Sequence, residues 1–484
     1  MIFKKICLVA VSLMLVCNMT FSVAASSSYK SYNYTNDGKE TSSPDIYSVE
    51  QVVYSTLLDC GTFEEARDIF VDAEDNVYIL DSGNSRIITL NSEFELVDVL
   101  SEFTLNGEVH TLAQGAEGIF FDDSTKEFYI ADTNNNRIII CDKNGVIRTI
   151  FDKPKSVLLD KNIEYKPTKI IVDNNKNMYI LSKNINTGAI MTDKNNDFIG
   201  FFGTNKVKET ALIKAERLWK KILSGGKSEY SFQPVAINNL FWGQDRFVYS
   251  VSTRNQYLIS EVSKLNATGE NVLKKTAFAD ISSNDKVEVY DIAVNKNGFF
   301  SILDRYNGKI YCYDIDANLI GAFGGIGDQE GLYKIPNAIS YNSKNELIIL
   351  DTEKDSITVM KPTEYAEIVF AALNLYQDGK YLESIELLEQ ANRVNPNFGL
   401  IYTGLGKSSH MLGEYSKAMR EFKLGNNKEE YSAAKKEYRN EFLYDHFALV
   451  AIAVVIVFLT IVFFDKVIDF IKKIVSKLFR RNYR

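Results

Sequence analysis

The side chains that most often do chemistry are scarce in this chain. It has three histidines, His110, His410 and His446, and five cysteines, Cys7, Cys17, Cys60, Cys141 and Cys312. Their scattered positions match neither metal-ligand spacing nor a disulfide framework. A Gly-x-Ser-x-Gly elbow, a phosphate-cradling glycine loop and a His-Glu-x-x-His helix are absent from the sequence. Carboxylates, amides and phenols remain, which could hold a hard cation such as calcium if several converged, or face a partner's charges. Arg67, Glu117, Thr168, Val235, Tyr290 and Asn337 stand at matching points of a repeat, each just ahead of an apolar run. They form a site only if that repeat gathers these points at one mouth, where Asp68 and Asp291 would stand close by.

The repeat is visible in "ARDIFVDAEDNVYILDSGNSRIITL" from Ala66 and "AEGIFFDDSTKEFYIADTNNNRIIICDKNG" from Ala116. Each copy is an apolar run, a polar turn, a Tyr-rich run, a second turn around Asp-x-x-Asn-x-Arg, and a third run before another turn. Further copies open near Pro167, Pro234, Tyr290 and Pro336, giving six. Four short strands per copy make one propeller blade, and stacking blades in a ring buries faces that no blade buries alone. Ile69, Ile119, Ile170, Ile237, Ile292 and Ile339 are the matching inner positions. Cys141 and Cys312 occupy one shared place in their copies, as packed strand residues. The sixth copy stops at Pro362 after three strands, so "SVEQVVYSTLLDC" from Ser48 is expected to supply the fourth and latch the ring. The Asp81/Arg86, Asp132/Arg137 and Asp304/Lys309 pairs recur copy by copy, which suits turn bracing better than catalysis.

These copies resemble the NHL-repeat β-propeller family over residues 48–362, most closely at "FYIADTNNNRIIICDKNG". From Glu364 the apolar period becomes helical, and Gly379-Lys-Tyr381 and Gly413-Glu-Tyr415 recur 34 residues apart, as do Ser384 with Ala418 and Leu388 with Phe422. This part resembles the tetratricopeptide repeat. The fold expected is mainly β: a six-bladed propeller over 48–362 with a helical insertion at 205–232, then two helical repeats and a capping helix over 363–443.

The ends suggest a location. Residues 1–25 carry Lys4 and Lys5, an apolar run and small residues before Ser26, as a secretion signal does. Residues 26–47 are polar and expected to be a disordered leader. Residues 445–464 include eighteen without a charge, Phe447 to Phe464, enough for a membrane span. The final segment, 465–484, has seven Lys or Arg against two Asp, an amphipathic basic tail that belongs on the cytoplasmic side. The chain's net charge is −8; the tail's +5 and the two signal lysines leave −15 on the exported part. That balance argues against nucleic acid as a partner.

The expected function is that of a membrane-anchored, extracytoplasmic binding or scaffold protein of a bacterium, engaging a protein partner such as a transporter complex, or a glycan, and the bilayer. Ligand contacts are expected at Arg67, Glu117, Tyr290 and Asn337, with no cofactor and no catalytic residue. The rival is a lactonase-like hydrolase, which would need calcium held in the channel by residues such as Glu117, Asn337, Asp68 and Asp291.

Overall fold

The computed structural model of the protein describes residues 27–34, 40–159, 162–204, 235–252, 262–273 and 287–481. The signal expected over 1–25 and the insertion expected over 205–232 lie outside the described residues.

The repeat builds six antiparallel sheets, each led by an inner strand: Ala66–Val71, Gly118–Asp122, Pro167–Val172, Asn239–Trp242, Val289–Val294 and Pro336–Tyr341. Successive inner strands neighbour one another, and the sixth neighbours the first. The protein is therefore a closed six-bladed propeller. Blade four shows three strands among the described residues, and Tyr47–Tyr54 completes blade six by pairing antiparallel with Ser356–Pro362.

Alternation explains why the strands are apolar on both faces. In blade one's second strand, Val77–Asp81, every residue is buried. Ile79 packs toward Ala338, Ile348 and Val359 of blade six, whereas Tyr78 and Leu80 pack toward Phe121, Phe128 and Ile130 of blade two. Each such Ile or Leu contributes roughly 1.5–3 kcal/mol of burial, available only once a neighbouring blade is present. Cys141 and Cys312 are buried in third strands, without disulfides, but not at one shared place: Cys141 lies opposite Phe128 and Cys312 opposite Ser301, so Tyr313 is the counterpart of Cys141. Burial pushes the Cys312 thiol up to about 12, so it is inert at neutral pH.

The polar turns have a common device. Asp72 Oδ1 accepts the N–H groups of Glu74 and Asn76, and its Oδ2 accepts the Tyr78 hydroxyl at 2.7 Å. Asp173 repeats this with Asn175, Asn177 and Tyr179, and Asn295 and Asn342 repeat its backbone part. In blades one, three, five and six the Asp or Asn after the inner strand thus closes the hairpin, and in blades one and three a Tyr from the next strand returns to it.

Two further expectations are corrected. In copy four the strand starts at Asn239, so Leu240, not Ile237, matches Ile69; Asn239 Oδ1 accepts the Leu240 N–H just as Asp68 Oδ1 accepts that of Ile69. The leader is not disordered throughout 26–47: Tyr32 pairs with Ala322, adding the strand Tyr32–Tyr34 to blade five's outer edge, with Glu40–Ser42 beyond it. Aromatic burial overrides its polar composition, since Tyr29 and Tyr32 are buried and Tyr29 lies 5.8 Å from Phe323, ring centre to ring centre.

The chain divides into two compact units, and the second consists chiefly of residues from Glu364 onward. Among the described residues seven helices follow the propeller: Glu364–Gln377, Tyr381–Val394, Gly399–Met411, Tyr415–Leu424, Lys428–Asp445, Phe447–Val462 and Phe464–Arg481. The first four form two hairpins that turn at Gly379 and Gly413, with φ of 76° and 78°. In the first, Ser384 Oγ donates to the Ala372 carbonyl at 2.8 Å. In the second, Gly406 abuts Phe422 so closely that a Cβ would stand 2.6 Å from its ring.

No single described helix is long and apolar enough to cross a membrane; Lys428–Asp445 and Phe447–Val462 reach that measure only together, bent by 80°. The segment expected to span as one piece over 445–464 is interrupted at His446 and Phe463, where the backbone leaves helical geometry. Its 16 residues extend about 24 Å, short of a hydrocarbon core of about 30 Å.

Candidate functional site at the propeller channel

The inner strands share an irregularity that sets the channel's chemistry. In blades one, three, five and six the ladder to the second strand skips one residue: Arg67, Thr168, Tyr290 and Asn337. Such a bulge removes the residue from the pairing and re-aims its side chain. Four of the six expected mouth positions are therefore bulge residues, and the ladder resumes at the residue after each.

That next column reads Asp68, Gly118, Lys169, Asn239, Asp291 and Ala338. Asp68 Oδ2 reaches into blade two and accepts the Ile119 N–H at 2.8 Å; Asp291 Oδ2 reaches into blade six and accepts the Ile339 N–H at 2.7 Å. Each aspartate is followed in the next blade by a small residue, Gly118 or Ala338. Lys169 Nζ reaches past blade two to donate to both Asp68 oxygens at 2.8 and 2.7 Å, and Asn239 Nδ2 donates to Asp291 Oδ1 of the next blade at 2.7 Å. These bonds form a lock that joins the inner strands of blades one to three and of blades four to six, and the charge of Lys169 acts on Asp291 between the two groups.

Its electrostatics follow from burial. Asp68 and Asp291 are each 3% exposed. Burial pushes the Asp291 carboxyl up to about 7; the Lys169 ammonium opposes this, Asp68 adds to it, and the N–H groups of Ile339 and Ile292 oppose it. Burial alone would lower the Lys169 pKa, but the carboxylates of Asp68 and Asp291 outweigh it and hold the ammonium above its ordinary range. Lys169 thus supplies a positive charge in contact with Asp68 that also acts on Asp291. Among the described residues, no group of three His, Cys, Asp or Glu side chains is arranged to hold a metal ion.

The expected mouth residues separate into two groups. Arg67 pairs with Glu65 at 2.6 Å, Glu117 with Lys183 at 2.5 Å, and the Arg305 guanidinium lies 4.5 Å above the Tyr290 ring. The Tyr290 phenol is pushed up by burial, pulled down by Arg305 and Arg67, and raised by Glu117 and Asp291, so these charges share one neighbourhood. Asn337 stands apart: it is 2% exposed, and its amide donates to Thr352 Oγ1 at 2.5 Å and to the Ala66 carbonyl at 3.3 Å, bracing blade six against blade one. In blade four the mouth position belongs to Asn238, whose amide donates to the Val289 carbonyl at 2.6 Å; Val235 precedes the strand.

The repeated Asp and Arg pairs brace loops. Arg86 and Arg137 each place Nε 2.7 Å from the aspartate five residues earlier. The other oxygens of Asp81 and Asp132 accept the N–H groups of Glu64 and Ala113, fixing the chain ahead of each inner strand. In blade five, Asp304 likewise accepts the Glu288 N–H, and the Lys309 ammonium lies 4.8 Å from the ring centre of Tyr32.

The lock is only faintly legible in the sequence. Within a repeat that otherwise favours like residues, one column alternates acid, small residue, base, amide, acid and small residue. Its three charged members, Asp68, Lys169 and Asp291, each follow a bulge, which leaves no mark in a single sequence.

No protein-family model matches the chain, and no curated protein matches it in sequence. Solved propellers resemble it distantly. Virginiamycin B lyase from Staphylococcus aureus is 12% identical, with 66% of this chain and all of that chain covered and a TM-score of 0.41. The WD40 β-propeller domain of Doa1 is 9% identical over 66% of this chain and 98% of that one, with a TM-score of 0.39. The extracellular domain of a one-component system of Bacteroides thetaiotaomicron is 16% identical over 61% of this chain and 33% of that one, with a TM-score of 0.36. The six blades described above rest on the strand pairing of this chain itself.

Proposed function

We propose that the protein is a membrane-anchored binding protein whose propeller and helical hairpins stand on the extracytoplasmic side and hold a protein partner. The observation that carries this reading is the channel lock. Asp68, Lys169, Asn239 and Asp291 are engaged with one another and with backbone N–H groups, which suits a rigid platform better than a lactonase-like centre fed by calcium. The partner surface proposed is the mouth around Arg67, Glu117 and Tyr290, where charged groups of both signs reach solvent. Protein contact is favoured over glycan stacking because, among the described propeller residues, only Tyr54 and Tyr306 are exposed tyrosines.

In the same reading the two hairpins are tetratricopeptide-type repeats. Phe447–Val462, completed by flanking residues, is the single-pass anchor, and the basic helix after it rests on the inner leaflet. The partner expected is a membrane complex such as a transporter. Affinity capture of the solubilised intact protein tests this: a partner recovered with wild type should be lost with Arg67→Glu or Tyr290→Ala. Equal recovery with both variants would rule the mouth out. Protease added to intact cells should remove the propeller and spare the last twenty residues.

A further inference from the structure

Beyond the lock, at the far ends of the inner strands, the channel widens into a cavity of about 500 Å³. Lys169 and Asp291 form its floor, and Ile69, Ile119 and Ile339 line it just above them. Six aromatic residues are among its lining, and four of them, Phe70, Phe120, Phe241 and Trp242, are half-buried with no hydrogen bond of the ring among the described residues. Phe70 and Phe120 meet edge to face, 5.1 Å between ring centres. A chamber of this size, in which apolar residues stand beside polar and charged ones, suits a small organic molecule.

The charge around the chamber selects among such molecules. The described lining has six aspartates against three lysines. Burial pushes Asp72 and Asp122 up, but hydrogen bonds from Asn76 and Tyr78 to the first, and from Lys176 and Ser124 to the second, hold both below the ordinary carboxylate range. Both are ionised at neutral pH. Two of the lysines are committed at the rim, Lys176 to Asp122 and Ser124, and Lys296 to the Ser343 carbonyl at 2.9 Å. The third, Lys169, answers Asp68 in the lock. Outside the lining, Lys143 lies 3.5 Å from Asp72 and Lys126 lies 3.4 Å from Asp123, so Asp75 and Asp173 carry the negative charge that no ion pair answers among the described residues. That smaller excess, beside aromatic rings, favours cations over anions. The carboxylates already accept turn N–H groups, which suits a diffuse organic charge better than a small metal ion that demands direct ligands.

We propose that this cavity binds a small organic cation, an alkyl- or aryl-ammonium whose apolar body lies against the four aromatic rings while its charge faces the surrounding aspartates. This site lies at the opposite end of the channel from the mouth and does not depend on the protein-partner reading.

Titration calorimetry on the full chain in neutral detergent tests it, with benzyltrimethylammonium as probe and phenylacetate and benzyl alcohol as controls of similar body. The cation should bind at least tenfold more tightly than phenylacetate. Phe120→Leu should weaken it several-fold without changing the charge, and filling the chamber with Val294→Trp or Val71→Phe should abolish binding. Two fillers are used because either alone could disturb folding, which circular dichroism reports. Failure of the cation to bind at millimolar concentration, equal binding of phenylacetate, or undiminished binding in a folded filler variant would each overturn the proposal.

Discussion

Asp68 and Lys169 are 101 residues apart in the chain, yet the Lys169 ammonium donates to both Asp68 oxygens, at 2.8 and 2.7 Å. Removing the ammonium leaves the buried Asp68 carboxylate without its countercharge. Lys169→Met should therefore destabilise the propeller by about 3–5 kcal/mol in urea unfolding. The double variant Lys169→Met/Asp68→Asn should recover part of that loss. A single variant as stable as wild type would show that the lock does not hold the ring.

Asp291 gives a pH signature of defined sign. Its carboxyl sits at about 7 in the folded protein against an ordinary 3.8, so the folded chain keeps a proton that the unfolded chain releases between those values. The group's contribution to stability is fully present below 3.8 and declines as pH rises toward 7. Asp291→Asn lacks this titration. The stability of wild type minus that of the variant should fall with rising pH across the window, by about 1.4 kcal/mol for each step of one in pH. A flat or rising difference would contradict the burial argument.

Gly118 tests how closely adjacent blades approach. A Cβ there would stand 2.7 Å from the Thr168 carbonyl oxygen and 2.9 Å from Lys169 Cα, both backbone atoms of the next blade. Gly118→Ala should cost about 1–3 kcal/mol through overpacking. Gly200→Ala is the control, since a Cβ at Gly200 would meet nothing within 4 Å and the backbone there has no positive φ that calls for glycine. Thermal unfolding of the two variants should separate them clearly.

The helical hairpins contain a matched exchange. The second hairpin pairs Gly406 with Phe422, and the first carries Ala372 and Leu388 at the corresponding positions. Gly406→Ala drives a methyl into the Phe422 ring and should lower the helical unit's melting temperature. Adding Phe422→Leu reproduces the first hairpin's combination and should restore much of the loss. Failure of that rescue would mean the two hairpins do not pack alike.

The ring is legible because six copies of one grammar must share one solution, and the missing fourth strand of the last copy names its own replacement. Copy four slips by three residues because its apolar run, "VAINNLFW", offers both Ile237 and Leu240. Only the side-chain bond from Asn239 to the Leu240 backbone selects between them. Composition misjudges the leader because it averages over residues, whereas Tyr29 and Tyr32 act through two particular contacts. At the channel, Arg67, Glu117 and Tyr290 are found by their place in the repeat. Asn337 shares that place but bonds sideways to the first blade, an interaction that exists only after the circle is shut.

The strand Tyr47–Tyr54 leaves the ribosome near the beginning of synthesis, and its ladder partner Ser356–Pro362 follows some three hundred residues later. Throughout that interval the early segment has an unmatched edge, and the first blade and the newest each lack one flank. Cooperative assembly must wait for nearly the entire polypeptide. A chain built this way stays unfinished until its last blade has been made.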